Sequence, residues 1–296
     1  METSQNIPPN QSHRNILELD ALGTHWWIEP LSGTLGDTVE SAVIRTIREF
    51  ERQYTRFSDT SLLGHLNLHK RLLDPPKEML RMLEFARDLQ TKTNGVFNVS
   101  VGGELVRRGY GKIGQGKLSD SFWNEVKLTP DEIRIPGEIS LDFGGFGKGW
   151  LIDTIGKLFR DNSVGHFIIN GGGDILVSSQ EPIELALEHP LDPSKSIGTT
   201  RIQHGALAVS STIKRSWKYK GQQHHIIDPR TGAPAASDVI STYVRADSAL
   251  LADVCATILL IAPELEQTLA QAYNLKTVLL HPSQFPNPAK TTRQPI

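Results

Sequence analysis

The stretch from Asp142 to Asp153, DFGGFGKGWLID, places four glycines and a lysine between a predicted strand and a predicted helix. Residues 138–141 read as a strand, and the apolar positions of residues 151–159 repeat at helical spacing. A glycine-rich turn that opens a helix lets backbone N–H groups approach phosphate oxygens, and the helix N-terminus adds a favourable dipole. Lys148 would add a point charge. The stretch therefore favours a nucleotide or pyrophosphate site.

These glycines also have a simpler explanation. Glycines between a strand and a helix often serve only the turn and close helix packing, and isolated glycine-rich matches are unspecific. The spacing here fits neither GxxxxGK[ST] nor GxGxxG followed by a ribose-binding acid. On its own, the stretch leaves a phosphate site and a plain turn equally open.

The composition is that of an ordinary globular protein. The chain has 296 residues, of which 38% are hydrophobic and 22% charged. Its net charge of −2 provides neither a basic footprint for nucleic acid nor a polybasic patch for a membrane surface. We therefore expect no nucleic-acid partner.

The single cysteine and the polar N-terminal residues indicate in which cellular compartment the protein is expected. Cys255 cannot form an internal disulfide, and its apolar neighbours predict a buried structural thiol. The first residues lack the apolar stretch of a signal peptide and a cysteine for a lipid anchor, and no segment has the length of a membrane span. A cytoplasmic location without a membrane anchor is the expectation.

Strands and helices do not alternate regularly, so the sequence predicts an α+β fold with mixed sheets and packed helices. Residues 1–15 are expected to form a disordered tail, residues 16–282 one domain and residues 283–296 a loose C-terminal tail. Apolar spacing predicts helices over 37–53, 76–93 and 248–261. Strands are expected over 24–29, 166–170, 183–188, 206–210, 239–244 and 277–281, with 103–130 irregular.

Two neighbouring histidines precede a strong turn signal. His224 and His225 stand shortly before Asp-Pro-Arg-Thr-Gly at 228–232, where proline fixes one dihedral and glycine permits a positive one. Imidazoles beside such a turn can donate or accept protons near neutral pH. Neighbouring histidines are nevertheless more often surface or structural residues, so both interpretations stay open.

The predicted helix over 248–261 carries a carboxylate and a hydroxyl on one face, because Asp253 and Thr257 are spaced i, i+4. A carboxylate among so many apolar residues is costly to bury unless it is paired or binds a metal, and oxygen ligands suit Mg²⁺. The alternative places Asp253 on the exposed face and lets Thr257 bond back to the helix. The absence of a Cys/His ligand spacing disfavours zinc.

The motifs, taken together and in order, closely resemble those of the ApbE family, the FAD:protein FMN transferases. The resemblance extends from about Leu22 to about Leu280, so one ApbE-like domain would span nearly the whole chain. Any one motif is weak, but the ordered set is specific. The matching segments are LGT at 22–24, FSDTSLLGHLN at 57–67, GVFN at 95–98, DFGGFGKGWLID at 142–153, NGGGD at 170–174, HIIDPRTG at 225–232 and ADVCAT at 252–257.

The resemblance implies that a Thr or Ser hydroxyl of an acceptor flavoprotein attacks the FMN-side phosphorus of bound FAD. AMP leaves, and FMN stays attached through a phosphoester. It further implies a Mg²⁺ ion on the pyrophosphate, held by the side chains of Asp253 and Thr257 and the backbone oxygen of Gly145. His225 is the candidate for proton transfer from the incoming hydroxyl. Flavin and adenosine contacts are expected at Leu22, Phe57, Val96, Phe97, Asn98, Asp142, Lys148 and Ile227.

The chain departs from the family pattern at several positions. Leu22 replaces a methionine and Phe57 a tyrosine, so a hydrogen bond is lost there while stacking survives. Asn98 replaces an aspartate and removes one charge. Ser-Ser-Thr at 210–212 stands where the family usually has Thr-Ser-Gly, and this would alter how the acceptor enters.

Two other functions use the same residues. A hydrolase would split FAD to FMN and AMP with water as the nucleophile, and a carrier would bind FAD without reaction. The joint presence of Lys148, His225, Asp253 and Thr257 disfavours the carrier, which needs neither a base nor metal ligands. No motif specifies the acceptor or the oligomeric state.

Overall fold

The computed structural model describes residues 16–214, 216–219 and 222–285. The predicted N-terminal tail and the part of the predicted C-terminal tail beyond residue 285 lie outside these ranges. The helices are α1 (Asp37–Tyr54), α2 (Leu62–His69), α3 (Lys77–Lys92), α4 (Gly102–Arg107), α5 (Gly147–Asp161), α6 (Ala249–Ile261) and α7 (Glu266–Tyr273).

The strands form one large antiparallel sheet and three small ones. The large sheet has seven strands in the order β1-β2-β6-β7-β8-β13-β14. The small sheets pair β3 and β4 with β5, β9 with β10, and β11 with β12. The strands are β1 (Leu17–Ala21), β2 (Thr24–Pro30), β3 (Arg71–Leu73), β4 (Lys127–Leu128), β5 (Glu132–Arg134), β6 (Phe167–Gly171), β7 (Asp174–His189), β8 (Asp192–Ser211), β9 (Ser216–Lys218), β10 (Gln222–His224), β11 (Ile227–Asp228), β12 (Ala233–Pro234), β13 (Ser241–Ala246) and β14 (Lys276–Leu280).

Alternation along the central strands sends apolar side chains to both faces of the large sheet. On one face, Trp26 and Ile169 join the main core beneath the helices, and both are fully buried. On the other face, Val177, Leu207 and Tyr243 form a smaller apolar cluster. The α+β prediction is confirmed, and the sheet supplies the floor on which the helices pack.

Helix α6 is apolar on most of its surface, which suits its packing against α5, β8 and β13. Its Ser248 N-cap accepts a hydrogen bond from the Leu251 amide at 3.2 Å. Cys255 is buried, as the sequence predicts, and burial raises the pKa of its thiol to about 12, which disfavours the thiolate. The two polar side chains of α6 that matter below, Asp253 and Thr257, are therefore presented from a rigid element.

The strand predicted over 138–141 is wrong. Ser140 forms only an isolated bridge with Val101, and the backbone groups of this segment are bonded elsewhere. The Ser140 carbonyl accepts from the Gly102 amide at 3.1 Å, and the Leu141 amide donates to the Asn67 side chain at 2.7 Å. The segment begins in a turn, where the Ile139 amide donates to the Pro136 carbonyl at 3.1 Å, and it is held by loops and a side chain instead of by a neighbouring strand.

The other differences concern short elements. The region 103–130, predicted to be irregular, contains most of α4 and the strand β4, and α2 was not predicted. The predicted helices over 37–53, 76–93 and 248–261 correspond to α1, α3 and α6.

Across the described ranges, no helix combines the length and the apolar character that a bilayer crossing requires.

Candidate active site

A cavity of about 610 Å³ opens where the glycine-rich loop, the N-terminal end of α5, α6 and the end of β8 meet. A cavity of this size is typical of sites for small molecules and cofactors. Every residue that the sequence nominated for the site lines it. These are Leu22, Phe57, Val96, Phe97, Asn98, Asp142, Gly145, Lys148, His225, Ile227, Asp253 and Thr257.

The glycine-rich loop folds by bonding to itself. The Asp142 carboxylate accepts a hydrogen bond from the Gly144 amide at 2.7 Å. The Phe143 carbonyl accepts from the amides of Phe146, at 3.2 Å, and Gly147, at 2.8 Å. One turn into α5, the Gly149 amide donates to Asp253 at 2.9 Å. Because these four amides are engaged within the protein, the loop offers less amide hydrogen bonding to a phosphate than the sequence suggests.

Lys148 lies between two buried carboxylates at one end of the cavity. Its ammonium is ion-paired with Asp174 and lies 3.5 Å from Oδ1 of Asp253. Asp174 was part of the matched motif but was not nominated as a site residue. Two carboxylates share one lysine, and their side chains are 1% and 5% exposed, so this end of the cavity is electronegative.

Asp253 has the properties expected of a cation ligand. Burial raises the pKa of its carboxyl group, the Lys148 ammonium opposes this, and the negative charge of Asp174 reinforces it. Its Oδ2 is fixed by the Gly149 amide, while Oδ1 faces Lys148. A carboxylate whose charge is disfavoured by its surroundings gains stability from a divalent cation.

Two hydroxyl groups and a glycine lie next to Asp253 at this end of the cavity. Thr257 lies one turn after Asp253 on α6, and its hydroxyl is 3.2 Å from Oγ of Ser210. Gly145 lies beside Phe97 and Thr257, because a Cβ built on it would be 3.4 Å from Cε2 of Phe97 and 3.8 Å from Cγ2 of Thr257. Within the described ranges, no three His, Cys, Asp or Glu side chains cluster as a metal centre. The oxygen donors present therefore fit a hard cation that also draws ligands from a substrate.

The other end of the cavity is apolar and aromatic. Val96, Phe97 and Ile227 are buried, whereas Phe57 lines the cavity and is 55% exposed. Leu22 enters the lining from the turn between β1 and β2, with a positive φ of 53°. The surface suits a flat aromatic group.

Asn98 borders this apolar end, but its side chain serves the neighbouring loops. Its Oδ1 accepts from the Ser100 amide at 2.9 Å, and its Nδ2 donates to the Ser119 carbonyl at 3.1 Å. The amide thus fixes the shape of the wall around Phe97. An aspartate at this position could not donate to the Ser119 carbonyl, which accounts for an amide being tolerated here.

Sequence reasoning missed Arg56, which pairs with Asp142. Its Nε lies 2.5 Å from the carboxylate, and its side chain is 3% exposed. The guanidinium also packs over the rings of Phe57, at 4.5 Å, and Tyr110, at 4.9 Å. The ring of Tyr110 in turn stacks on Trp217 at 4.9 Å. A lone arginine in a loop carries no periodic signal, and only the adjacent Phe57 could have drawn attention to it.

The structure separates the two neighbouring histidines. His224 turns away from the cavity, and its Nε2 lies 3.1 Å from the Ala235 carbonyl. Burial lowers the pKa of His224. His225, in contrast, lines the cavity together with Pro229 of the following turn. The turn that follows His225 is closed by the Gly232 amide, which donates to the Asp228 carbonyl at 2.8 Å.

Comparisons with known proteins agree on one family. The sequence model of the ApbE family matches residues 22–279. The FAD:protein FMN transferase of Buchnera aphidicola is 22% identical over 274 residues, covering 82% of this chain and 79% of that protein. That of Vibrio cholerae is 24% identical over 248 residues, covering 77% and 74%.

Solved structures of similar proteins share the fold. The ApbE protein of Thermotoga maritima superposes with a TM-score of 0.78 at 19% identity, covering 92% of this chain and 95% of that chain. The flavin transferase ApbE from Vibrio cholerae gives a TM-score of 0.72 at 20% identity, covering 91% and 94%.

Proposed function

The chain belongs to the ApbE family, and from that premise we propose that it transfers FMN from FAD to a Thr or Ser hydroxyl of an acceptor flavoprotein. The proposal also draws on relatives that are named FAD:protein FMN transferases. The reaction forms a phosphoester-linked FMN and releases AMP. The enzyme is a transferase whose second substrate is another protein.

The observation that carries the proposal is the division of the cavity into two chemically different ends. An aromatic and apolar end, with Val96, Phe97 and Phe57, suits a planar ring system. The other end holds Lys148 and Asp253 beside the oxygen donors described above. FAD has both characters, because it joins aromatic rings through a charged pyrophosphate. Leu22, Asn98, Asp142 and Ile227 are proposed as further contacts of the bound dinucleotide.

Each protein group has a definite part in the proposed reaction. The acceptor hydroxyl oxygen forms a bond to the FMN-side phosphorus, and the bond from this phosphorus to the bridging oxygen breaks. AMP leaves with that oxygen. His225 takes the proton from the attacking hydroxyl, and Lys148 stabilises the charge on the pyrophosphate oxygens. Phosphoryl transfer depends chiefly on such positioning and electrostatics.

Asp253, Thr257 and the backbone oxygen of Gly145 would hold a Mg²⁺ ion. When bound, the ion would neutralise pyrophosphate charge and polarise the phosphorus for attack. The chain's contribution is to keep these donors fixed: Asp253 through the Gly149 amide, and Thr257 through its place on the buried helix α6. The same electronegative end that attracts the cation would repel unneutralised phosphates, so metal and FAD are expected to bind together.

The decisive experiment incubates the protein with FAD, Mg²⁺ and an acceptor flavoprotein, then measures intact masses and free nucleotides. Transfer adds the mass of FMN to the acceptor and releases AMP in equal amount. The matched controls are an acceptor whose target Thr or Ser is replaced by Ala, and a reaction containing EDTA.

The same experiment separates the competing functions. Free FMN and AMP with an unmodified acceptor would show that water is the nucleophile and that the protein is an FAD pyrophosphatase. Bound but unchanged FAD would identify a carrier. Either result would overturn the transfer proposal.

A further inference from the structure

The matched segment NGGGD at 170–174 has no part in the reaction described so far, yet it delivers a charged side chain to the cavity wall. Asp174 follows two glycines with positive φ, Gly172 at 69° and Gly173 at 100°. A Cβ on Gly172 would lie 2.1 Å from the Thr24 hydroxyl oxygen, so the close approach of Thr24 and the positive φ both favour glycine in this turn. The turn brings Asp174 to a position where it is 1% exposed.

Asp174 and Asp253 are held in the same way. Each uses one oxygen to accept a backbone amide hydrogen bond, from Val209 at 3.2 Å and from Gly149 at 2.9 Å respectively. Each directs the other oxygen towards the ammonium of Lys148. The contact with Asp174 is the closer of the two, so Lys148 is anchored to Asp174 and only approaches Asp253.

We propose that Asp174 is a positioning residue that holds the Lys148 ammonium away from Asp253 and so keeps Asp253 available to a divalent cation. This inference rests on the proposed function, because it concerns the same cation site. With both carboxylates ionised, the cluster of Asp174, Lys148 and Asp253 carries one excess negative charge. Without the negative charge of Asp174, the ammonium would pair fully with Asp253, and the cluster would become neutral.

The proposal gives an ordered prediction for cation affinity. Asp174→Asn keeps the shape and the acceptor for the Val209 amide but releases Lys148 to Asp253, so it weakens cation binding at least about tenfold. Lys148→Met removes the competing ammonium, raises the excess charge of the cluster and tightens cation binding. The double variant, which combines Asp174→Asn with Lys148→Met, has the same excess charge as the wild type. Its cation affinity is therefore expected to be near the wild-type value.

The experiment titrates each purified variant with Mn²⁺ in the absence of FAD and measures free Mn²⁺ by electron paramagnetic resonance. This readout needs neither an acceptor nor turnover, so it can succeed or fail independently of the transfer assay. Asp161→Asn is the matched control, because Asp161 forms an exposed pair with Lys157 at the other end of α5. Its Mn²⁺ affinity is expected to equal that of the wild type.

The expected order of affinity is Lys148→Met first, then wild type and the double variant, then Asp174→Asn. Equal Mn²⁺ affinity in Asp174→Asn and wild type would overturn the proposal, as would weaker binding in Lys148→Met. If Asp174→Asn does not fold, as judged by its thermal transition, the Lys148→Met comparison still decides the question. A wild type that binds no Mn²⁺ would also overturn it, whatever the transfer assay shows.

Discussion

Asp153, on α5, caps the N-terminus of α6 through the amide of Ala249. The carboxylate accepts hydrogen bonds from the amides of Ala249 and Leu250, each at 2.9 Å. A carboxylate at this position also interacts favourably with the helix dipole. Burial raises the pKa of Asp153, and the two amides oppose that effect. The last residue of the glycine-rich stretch therefore ties the two helices that build the charged end of the cavity.

Loss of this cap is expected to cost stability. Asp153→Ala leaves two amides of α6 without their acceptor, so the free energy of unfolding should fall by about 1–2 kcal/mol. Urea denaturation measures the change. Asp161→Ala, at the exposed end of the same helix, is the matched control and should be near neutral. An unchanged midpoint for Asp153→Ala would contradict a stabilising role for the cap.

Gly149 is required by the close approach of α5 to α6. A Cβ on this residue would lie 2.4 Å from the Ala249 carbonyl oxygen, and that oxygen belongs to the backbone and cannot move away freely. Gly149→Ala should therefore destabilise the protein by about 1–3 kcal/mol and disturb the hydrogen bond to Asp253. Gly165→Ala is the control, because nothing lies within 4 Å of its added Cβ. Equal melting temperatures for the two variants would refute the steric argument.

The carboxylate of Glu132 is expected to make the stability of the folded protein depend on pH in the acid range. Hydrogen bonds from Lys127 and Arg134, and a further one from Arg71, lower its pKa from 4.5 to about 2. A lowered pKa in the folded state stabilises the fold above the unfolded value, and this contribution is lost as the pH falls from 4.5 towards about 2. Glu132→Gln should thus be less stable than wild type at neutral pH, and the difference should disappear near pH 2.

Denaturation at several pH values checks this prediction. Glu138→Gln removes an exposed carboxylate that pairs with Lys117, and it should show no comparable pH dependence. A stability difference for Glu132→Gln that does not change between neutral and acid pH would show that the lost contribution is not electrostatic.

Much of the fold could be predicted because its main signals are local. Helices α1 and α3 have apolar stripes at helical spacing, and α6 is an apolar run interrupted by Asp253 and Thr257. Helix α2 escaped prediction because its glycine, Gly64, looks like a helix breaker. A Cβ there would lie 1.9 Å from the Ser58 carbonyl oxygen, so the glycine allows a close contact with the preceding loop that apolar periodicity does not reveal.

The residues of the candidate site could likewise be predicted, whereas the contacts between them could not. The residues nominated through the family resemblance all line one cavity, although they come from distant segments. Their mutual contacts could not be predicted, since periodicity reports which face a residue occupies and not what it meets. The ion pair of Arg56 with Asp142 and that of Lys148 with Asp174 both join residues far apart in the chain. These pairs decide which groups are already neutralised and which can meet a ligand.

Asp253 is expected to be essential for metal-dependent turnover. Asp253→Asn keeps the size of the side chain and removes the charge, so Mg²⁺-dependent FMN transfer should fall on the order of 100-fold or more. Lys148 retains Asp174 as a partner, and the fold should therefore persist. Activity as a function of Mg²⁺ concentration measures the effect. Asp247→Asn, an exposed position just before α6, is the control, and full activity in Asp253→Asn would remove Asp253 from the metal site.

The two neighbouring histidines should behave differently when each is replaced. His225 lines the cavity, so His225→Ala should lower kcat by about 10²–10⁴-fold while leaving FAD affinity and the melting temperature almost unchanged. His224 is bonded to the Ala235 carbonyl away from the cavity, so His224→Ala should lower stability by about 1–3 kcal/mol. Its kcat, measured below the shifted melting transition, should stay within a few-fold of wild type. Since the residues are adjacent, each variant controls for the local effects of the other. A larger loss of kcat in His224→Ala than in His225→Ala would reverse the assignment of the proton acceptor.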